Sequence, residues 1–338
     1  MQIGEYEVEN LTTKNAGFSK WGFAVKEGKT YFIKEFLSPV YPVSGKLSEK
    51  QIRQKKENCA AYEQKMRRVY EAVNGCSDGN LVRIQHFFRC KSKYYIVTEK
   101  IDAISMGELQ KLPEQKREKI CLILLHSVYC LHRAGMVHGD LKPDNILFQR
   151  LPSGFHTAKV IDFDTCFREK DEQNPSEEIH CDPVYMAPET WLRAEREEGR
   201  LTAAIDVFAL GLIFHQILSG SLPTFSIEYD YPCMALLNGG ELYLNARIRP
   251  EMRTLIEKMT VPDPEKRITL AEAFLFFGFK APEHTEAETK EDASGGGPWY
   301  VPGKLDVVPE KDAEPAKGGS GEKETDYKSK LRGDLARK

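Results

Sequence analysis

The sequence lacks any Cys-x-x-Cys pair and any metal-ligand spacing among its cysteines, although it has eight of them in 338 residues. Thiols scattered at positions 59, 76, 90, 121, 130, 166, 181 and 233 exclude a disulfide framework and read as the reduced side chains of a cytoplasmic protein. Long apolar runs are missing too. The longest, Ile120 to Leu131 and Val207 to Leu218, each contain a histidine and fall short of the roughly 20 apolar residues that cross a bilayer. The N-terminal MQIGEYEVEN is acidic and has no signal-sequence features. Neither sign of charge dominates, since 48 Lys and Arg stand against 51 Asp and Glu for a formal net charge of -3. No global basic field therefore favours nucleic acid or an anionic membrane as a partner. The absence of internal repeats excludes a solenoid.

What the chain does have is material for a core. With 41% hydrophobic and 10% aromatic residues it can build one large or two medium domains. Residues 1–101 carry the alternating, β-branched or aromatic stretches YEVENL, FAVKEG, KTYFIKEF, VRIQHFF and KYYIVTEKI, interrupted by a helical pattern near Glu49 to Val73. These predict an antiparallel sheet with one helix. Residues 102–280 read as mainly helical, over Gln115 to Ala134, Ala203 to Leu218 and Pro250 to Met259, with a strand pair NILF and AKVIDF among them. From Ala281 to the end, Glu, Lys, Gly and Pro predominate, as in SGGGP and AKGGSGEKE, and a polar, flexible tail is expected. Residues 295–309, GGGPWYVPGKLDVVP, interrupt that tail with Trp299, Tyr300, Val301, Leu305, Val307 and Val308. They are expected to dock on the folded domain or on a partner, with the two aromatic residues as anchors.

The densest chemistry lies in MVHGDLKPDNILF, residues 136–148, where charged and polar side chains sit between apolar anchors. A solvated turn explains the Pro-Asp-Asn run but not the neighbouring Asp140 and Lys142. Elsewhere Lys34 lies on the expected strand YFIKEF, and Asp162 follows the apolar run AKVI in IDFD. A nucleoside triphosphate requires a lysine for its phosphates, an asparagine and an aspartate for Mg²⁺, and an acid that accepts a hydroxyl proton. The chain supplies each of these.

Over roughly residues 5–280 the sequence resembles the eukaryotic-type Ser/Thr protein kinases. VHGDLKPDNILF is similar to the catalytic loop, IDFD to the Mg²⁺-binding DFG, YMAPE to the end of the activation segment, and IVTEKI to the hinge. The resemblance implies an α+β fold of two lobes, a small antiparallel β N-lobe with one helix (1–101) and a larger helical C-lobe (102–280), with ATP and Mg²⁺ between them. It casts Asp140 as the acceptor of the hydroxyl proton and Lys142 as the neutraliser of the γ-phosphate. Asn145 and Asp162 become the metal ligands, and Lys34 the ligand of the α and β phosphates. Thr98 becomes the gatekeeper, and the backbone of Glu99 and Ile101 faces adenine. IDVFALG implies that Asp206 holds the catalytic-loop backbone, and DPEKR that Arg267 pairs with Glu189. A protein is the implied substrate, since lysine two residues after the catalytic aspartate is the Ser/Thr pattern.

The departures are equally specific. The glycine-rich loop aligns on Lys14-Asn15-Ala16-Gly17-Phe18-Ser19-Lys20-Trp21, with none of the three glycines in place, so Ala16 and Ser19 carry Cβ atoms where backbone should approach phosphate. Gapless counting puts Met66 where a glutamate should pair with Lys34, which leaves Glu63, one turn earlier, or Glu57. Gly139 replaces the usual arginine, Asp164 the DFG glycine, and Asp182 the threonine that bridges the catalytic aspartate and lysine. HGD and the degenerate loop are similar to bacterial eukaryotic-like members. HGD also occurs in aminoglycoside and choline phosphotransferases, so a small-molecule kinase is one alternative and a nucleotide-binding pseudokinase scaffold another.

Overall fold

The computed structural model describes residues 1–13, 19–43, 47–171, 173, 180–196, 200–226 and 228–282, together with the backbone of Asp306–Val308. Positions Ala16, Gly17 and Phe18 of the glycine loop and the tail anchors Trp299 and Tyr300 lie outside the described residues. The chain divides into two compact units, with boundaries at 74/75, 81/82 and 101/102.

The first unit contains β1 (Gln2–Ile3), β2 (Tyr6–Val8), β3 (Ser19–Lys26), β4 (Lys29–Phe36), α1 (Glu49–Cys76, whose last two residues belong to the second unit), β5 (Ile84–Cys90) and β6 (Lys93–Glu99). These strands form an antiparallel sheet in the order β1-β2-β3-β4-β6-β5. The β3–β4 hairpin closes on Glu27 and Gly28, both at positive φ (52° and 73°), the backbone that matches strand twist in a two-residue turn. Strict alternation sorts the side chains to two faces. Ala24, Ile33, Phe88, Tyr95 and Val97 pack beneath Ile3, Tyr6 and Val8 of the first two strands. The opposite face carries Phe36, Phe87 and Tyr94, and α1 lies on it. Tyr62 meets all three aromatic rings at 5.3–6.3 Å, and Tyr70 lies 5.3 Å from Phe87. The helix buries Cys59, Met66, Val69, Tyr70 and Val73 along one stripe, the pattern of a helix packed on one side only.

The second unit comprises α2 (Met106–Gln110), α3 (Glu114–Arg133), β7 (Met136–Val137), β8 (Ile146–Arg150), β9 (His156–Val160), β10 (Phe167–Arg168), α4 (Pro188–Arg196), α5 (Ala204–Ser219), α6 (Pro232–Leu237), α7 (Pro250–Met259) and α8 (Leu270–Ala273). At its centre stands α5, buried at every position from Ile205 to Leu218. A Cβ on Gly211 would sit 2.8 Å from the Thr260 methyl and 3.0 Å from Met259 Cβ, so this glycine sets how closely the end of α7 approaches. Gly220, at φ 89°, ends α5 in the left-handed conformation that glycine adopts without a Cβ penalty. Gln110 and Arg117 donate to the last carbonyls of α5, satisfying acceptors that the helix cannot pair itself. Two antiparallel strand pairs, β8–β9 and β7–β10, frame the segment between α3 and α4.

One strand comes from the tail. β11 (Asp306–Val308) pairs in parallel with Phe88–Cys90 of β5 and brings the sheet to seven strands. The architecture is α+β, a mainly antiparallel sheet with one long helix in one unit and helices in the other. Among the described helices none is long and apolar enough to cross a membrane.

Candidate active site

The site in the second unit is built outward from Asp206, an acid on the first turn of α5 that is only 1% exposed. Its carboxylate accepts the backbone N–H of His138 at 2.7 Å and of Gly139 at 3.0 Å, and it lies 2.9 Å from His132 Nε2 on α3. Burial alone would raise this carboxyl. The His132 hydrogen bond and charge, with His138 beyond, outweigh that and hold it below the usual range. One buried acid thus fixes the loop that follows β7. His138 is fully buried, with its ring 5.5 Å from Phe163 and its Nε2 3.2 Å from the Ile161 carbonyl. It is a packing residue.

Gly139 follows at φ 81°, and a Cβ there would approach the Thr165 carbonyl to 3.1 Å. Thr165 itself donates its hydroxyl to the His138 carbonyl at 2.9 Å. Conformation and contact both select glycine here.

Asp140 then presents its carboxylate to three donors. Lys142 Nζ approaches Oδ2 at 2.7 Å, Asn145 Nδ2 donates to Oδ2 at 3.1 Å, and the Asp182 N–H donates to Oδ1 at 2.9 Å. Asn145 Nδ2 also donates to the Asp140 carbonyl at 2.8 Å. These contacts come from a one-turn 3-10 helix, Pro143–Asn145, which folds Asn145 back over Asp140. With its amide nitrogen committed to Asp140, Asn145 has its carbonyl oxygen to offer a cation. Its backbone carbonyl accepts the Ile161 N–H at 2.9 Å, so Asp162 follows directly on a residue bonded to Asn145. Asp162 has φ 67°, a left-handed backbone that non-glycine residues adopt at some cost and that recurs at functional sites. A carboxylate and an amide oxygen are hard donors of the kind that Mg²⁺ takes, so the residues present fit that ion. The local field is strongly negative. Burial first, then the charges of Asp206, Asp164 and Asp162, push the Cys166 thiol well above its ordinary range.

In the first unit Lys34 lies on β4, 8% exposed, with its ammonium 5.8 Å from the Phe36 ring. It shares the α1 face of the sheet with Phe36 and Tyr94. On the same face Glu63 of α1 accepts the Tyr94 hydroxyl at 2.6 Å. Glu57, the other glutamate considered for Lys34, faces solvent and pairs with Arg53 at 3.2 Å. Met66, at the position reached by gapless counting, is buried core. Ser19 opens β3 as a buried residue opposite Phe36. Thr98 is buried on β6 opposite Phe32, its hydroxyl turned to the Glu99 carbonyl, and the buried Ile101 ends the unit. The sheet face around Lys34 also holds Trp21 stacked on Phe32 at 5.9 Å, a pair to which sequence reasoning assigned no role. It likewise gave none to His132, which lies 74 residues from the acid it supports; only its place in the last turn of α3 hinted at a polar partner.

A family model for the protein kinase domain matches residues 42–275. The chain belongs to the protein kinase family. Among the curated proteins it is similar to the serine/threonine-protein kinase ssp1 of Schizosaccharomyces pombe, 27% identical over 304 residues, covering 83% of this chain and 44% of the relative. It is also similar to the probable serine/threonine-protein kinase fhkC of Dictyostelium discoideum, 30% identical over 241 residues, covering 68% of this chain and 37% of that protein. A third relative is the ovarian-specific serine/threonine-protein kinase Lok of Drosophila melanogaster, 33% identical over 149 residues, covering 43% of this chain and 30% of the other. The chain spans less than half the length of each of these relatives.

Within the kinase domain two further features acquire meaning. Arg267 makes a bidentate pair with Glu189, at 2.6 and 2.9 Å, and donates to the carbonyls of Val261, Pro262 and Ala204. This fully buried guanidinium fastens the start of α4, the start of α5 and the loop after α7 to one another. The Asp182 carboxylate, which replaces a threonine of the family pattern, turns back to accept the Val184 N–H at 3.1 Å while its own N–H serves Asp140. The substitution thus leaves a donor on Asp140. Beside it a small hollow of about 20 Å³ is lined by Asp140, Cys181, Asp182, Tyr185, Met186 and Thr190.

Proposed function

We propose that this kinase transfers the γ-phosphoryl group of ATP to serine or threonine hydroxyls of a protein substrate, with Mg²⁺ as the metal. The reading rests above all on the Asp140 carboxylate, oriented by Lys142, Asn145 and the Asp182 N–H on a loop that Asp206 fastens from below. An acid held by three donors is aimed, as an acceptor for a hydroxyl proton must be. Bound ATP supplies the phosphoryl group, and Mg²⁺ the neutralisation of its charge. Lys142, held beside Asp140, neutralises the negative charge of the γ-phosphate during transfer. Asn145 and Asp162 hold the metal, and Lys34 the phosphates, with Glu63 as the acid that positions Lys34. Thr98, Glu99 and Ile101 border the base. Ala16, Gly17, Phe18 and Ser19 stand where the family covers the phosphates with glycines, so nucleotide affinity depends more heavily on Lys34 and the metal ligands.

The test is direct. Incubation of the protein with γ-labelled ATP, Mg²⁺ and a generic Ser/Thr acceptor should transfer label to the acceptor or to the protein itself. Asp140→Asn should retain ATP binding and lose turnover by orders of magnitude, because it removes an interaction made in the transition state. Transfer by Asp140→Asn at the wild-type rate would refute the assignment. Nucleotide binding without transfer by the wild-type chain would favour a scaffold role.

A further inference from the structure

On α3, a second cluster of donor atoms gathers that the kinase chemistry does not use. Asp78, in the turn after α1, places Oδ2 2.8 Å from His126 Nδ1. Cys130, one helical turn beyond His126, brings its Sγ to 3.8 and 3.9 Å from the two ring nitrogens. The metal-ligating atoms of all three residues lie within 4.8 Å of one another. His126 and Cys130 are i and i+4 on one face of α3, the spacing that stacks two side chains. The opposing turn is rigidly mounted: Ser77 Oγ donates to the Leu81 carbonyl at 2.9 Å, Thr157 Oγ1 to Asn80 Oδ1 at 3.1 Å, and the Val160 N–H to the Asn80 carbonyl at 2.9 Å.

We propose that Asp78, His126 and Cys130 form a binding site for Zn²⁺, with a solvent molecule completing the tetrahedron. A tetrahedral zinc with its usual bond lengths separates a histidine nitrogen from a thiolate sulfur by about 3.5 Å and from a carboxylate oxygen by about 3.4 Å. Against these the observed 3.8 Å is about 0.3 Å long and the observed 2.8 Å about 0.6 Å short, so a bound ion would part the Asp78–His126 hydrogen bond by side-chain rotation on a fixed backbone. The mixed set of sulfur, nitrogen and oxygen selects Zn²⁺ over Mg²⁺, which takes oxygen ligands alone. A plain Asp–His ion pair explains the carboxylate and the ring but gives no reason for a thiol beside both nitrogens. Asp78 and His126 are 39% and 31% exposed, so an ion can enter from solvent. Once bound it would tie the turn of residues 77–81 to α3.

Cobalt(II) titration of the full-length, reduced protein tests the site, since thiolate ligation gives a charge-transfer band that carboxylate and amide oxygens cannot. We expect one equivalent of Co²⁺ to produce that band, stoichiometric Zn²⁺ to abolish it, and Asp162→Asn to leave it intact. Cys130→Ser should eliminate it, and Asp78→Asn should weaken binding at least tenfold, with thermal melting in the absence of metal confirming that both variants fold. No thiolate band at stoichiometric Co²⁺, or a band that persists in Cys130→Ser, would overturn the site.

Discussion

Gly139 shows how one residue can remove a control and be locked in place by its surroundings. It stands where most relatives in the family pattern carry arginine, so it supplies no cation for a phosphorylated activation segment. Its left-handed backbone and the nearby Thr165 carbonyl also oppose any side chain there. A phosphate on Thr165 would meet no charge from this position and would break the hydroxyl's bond to the His138 carbonyl. Activity is therefore expected to survive phosphatase treatment, and kinase assays before and after treatment should agree within about twofold; a large drop would show that a different cation orders the segment. Asp206 carries a pH signature. Its carboxyl is depressed in the folded protein, so its contribution to stability is complete above the unfolded value of about 3.9 and is lost as pH falls through the folded value. In His132→Phe the strongest interaction opposing burial is gone, leaving only His138 and the loop amides, and the carboxyl rises. The urea midpoint of that variant should begin to fall at a higher pH than that of the wild type, and parallel profiles between pH 3 and 7 would refute the account. Of this residue-scale chemistry, the contacts of Asp140 with Lys142 and Asn145 were legible in the sequence because six consecutive residues, a Pro-Asp turn among them, contain them. The His132–Asp206 and Asp78–His126 contacts were not, since only the tertiary fold brings such distant positions together.

At the scale of elements, Arg267 has the most to lose. Its guanidinium is fully buried and saturated by one carboxylate and three carbonyls from separate segments. Arg267→Ala should destabilise the second unit by roughly 3–5 kcal/mol, because the Glu189 charge and the carbonyls are left without their donor. The measurement is the shift in denaturant midpoint. Glu189→Gln combined with Arg267→Met should cost less than the two single changes summed, since neither charge is then stranded. The long elements could be read from the sequence for simple physical reasons. Alternation marked β3 to β6, and the stripe of α1 and the unbroken apolar run of α5 marked helices. Short elements gave no such signal. α2, α6 and α8 have only 4–6 residues, too few to display a period, and β7 and β10 have two each. α4 is longer, but its polar sequence PETWLRAER hides a helix held by Arg267 rather than by an apolar stripe. Met66 illustrates the limit of counting, for a register without gaps reached a core position, and the polar contact on that face belongs to Glu63, three residues earlier.

At the scale of the whole molecule, the tail was read as polar chain with one apolar interruption, and β11 falls within that interruption, on the outer side of β5. Composition could suggest that residues 295–309 dock but not where, because a three-residue strand takes its place from the backbone it meets. A chain ending at Lys280 should lose protection from hydrogen exchange at Phe88 to Cys90 while α3 and α5 keep theirs; unchanged protection in β5 would argue against pairing in solution. The pairing has a consequence for solubility. A sheet that ends in an open strand offers its unpaired amides and carbonyls to other copies of itself, the usual start of edge-to-edge aggregation. At one edge β1 has only two residues, too few to serve as a template. At the other, the tail covers part of the seven-residue β5 with a strand that is covalently attached, hence present at roughly millimolar effective concentration. Any second molecule must compete with that internal neighbour, so shortened chains should associate through β5 at concentrations where the intact protein stays monodisperse.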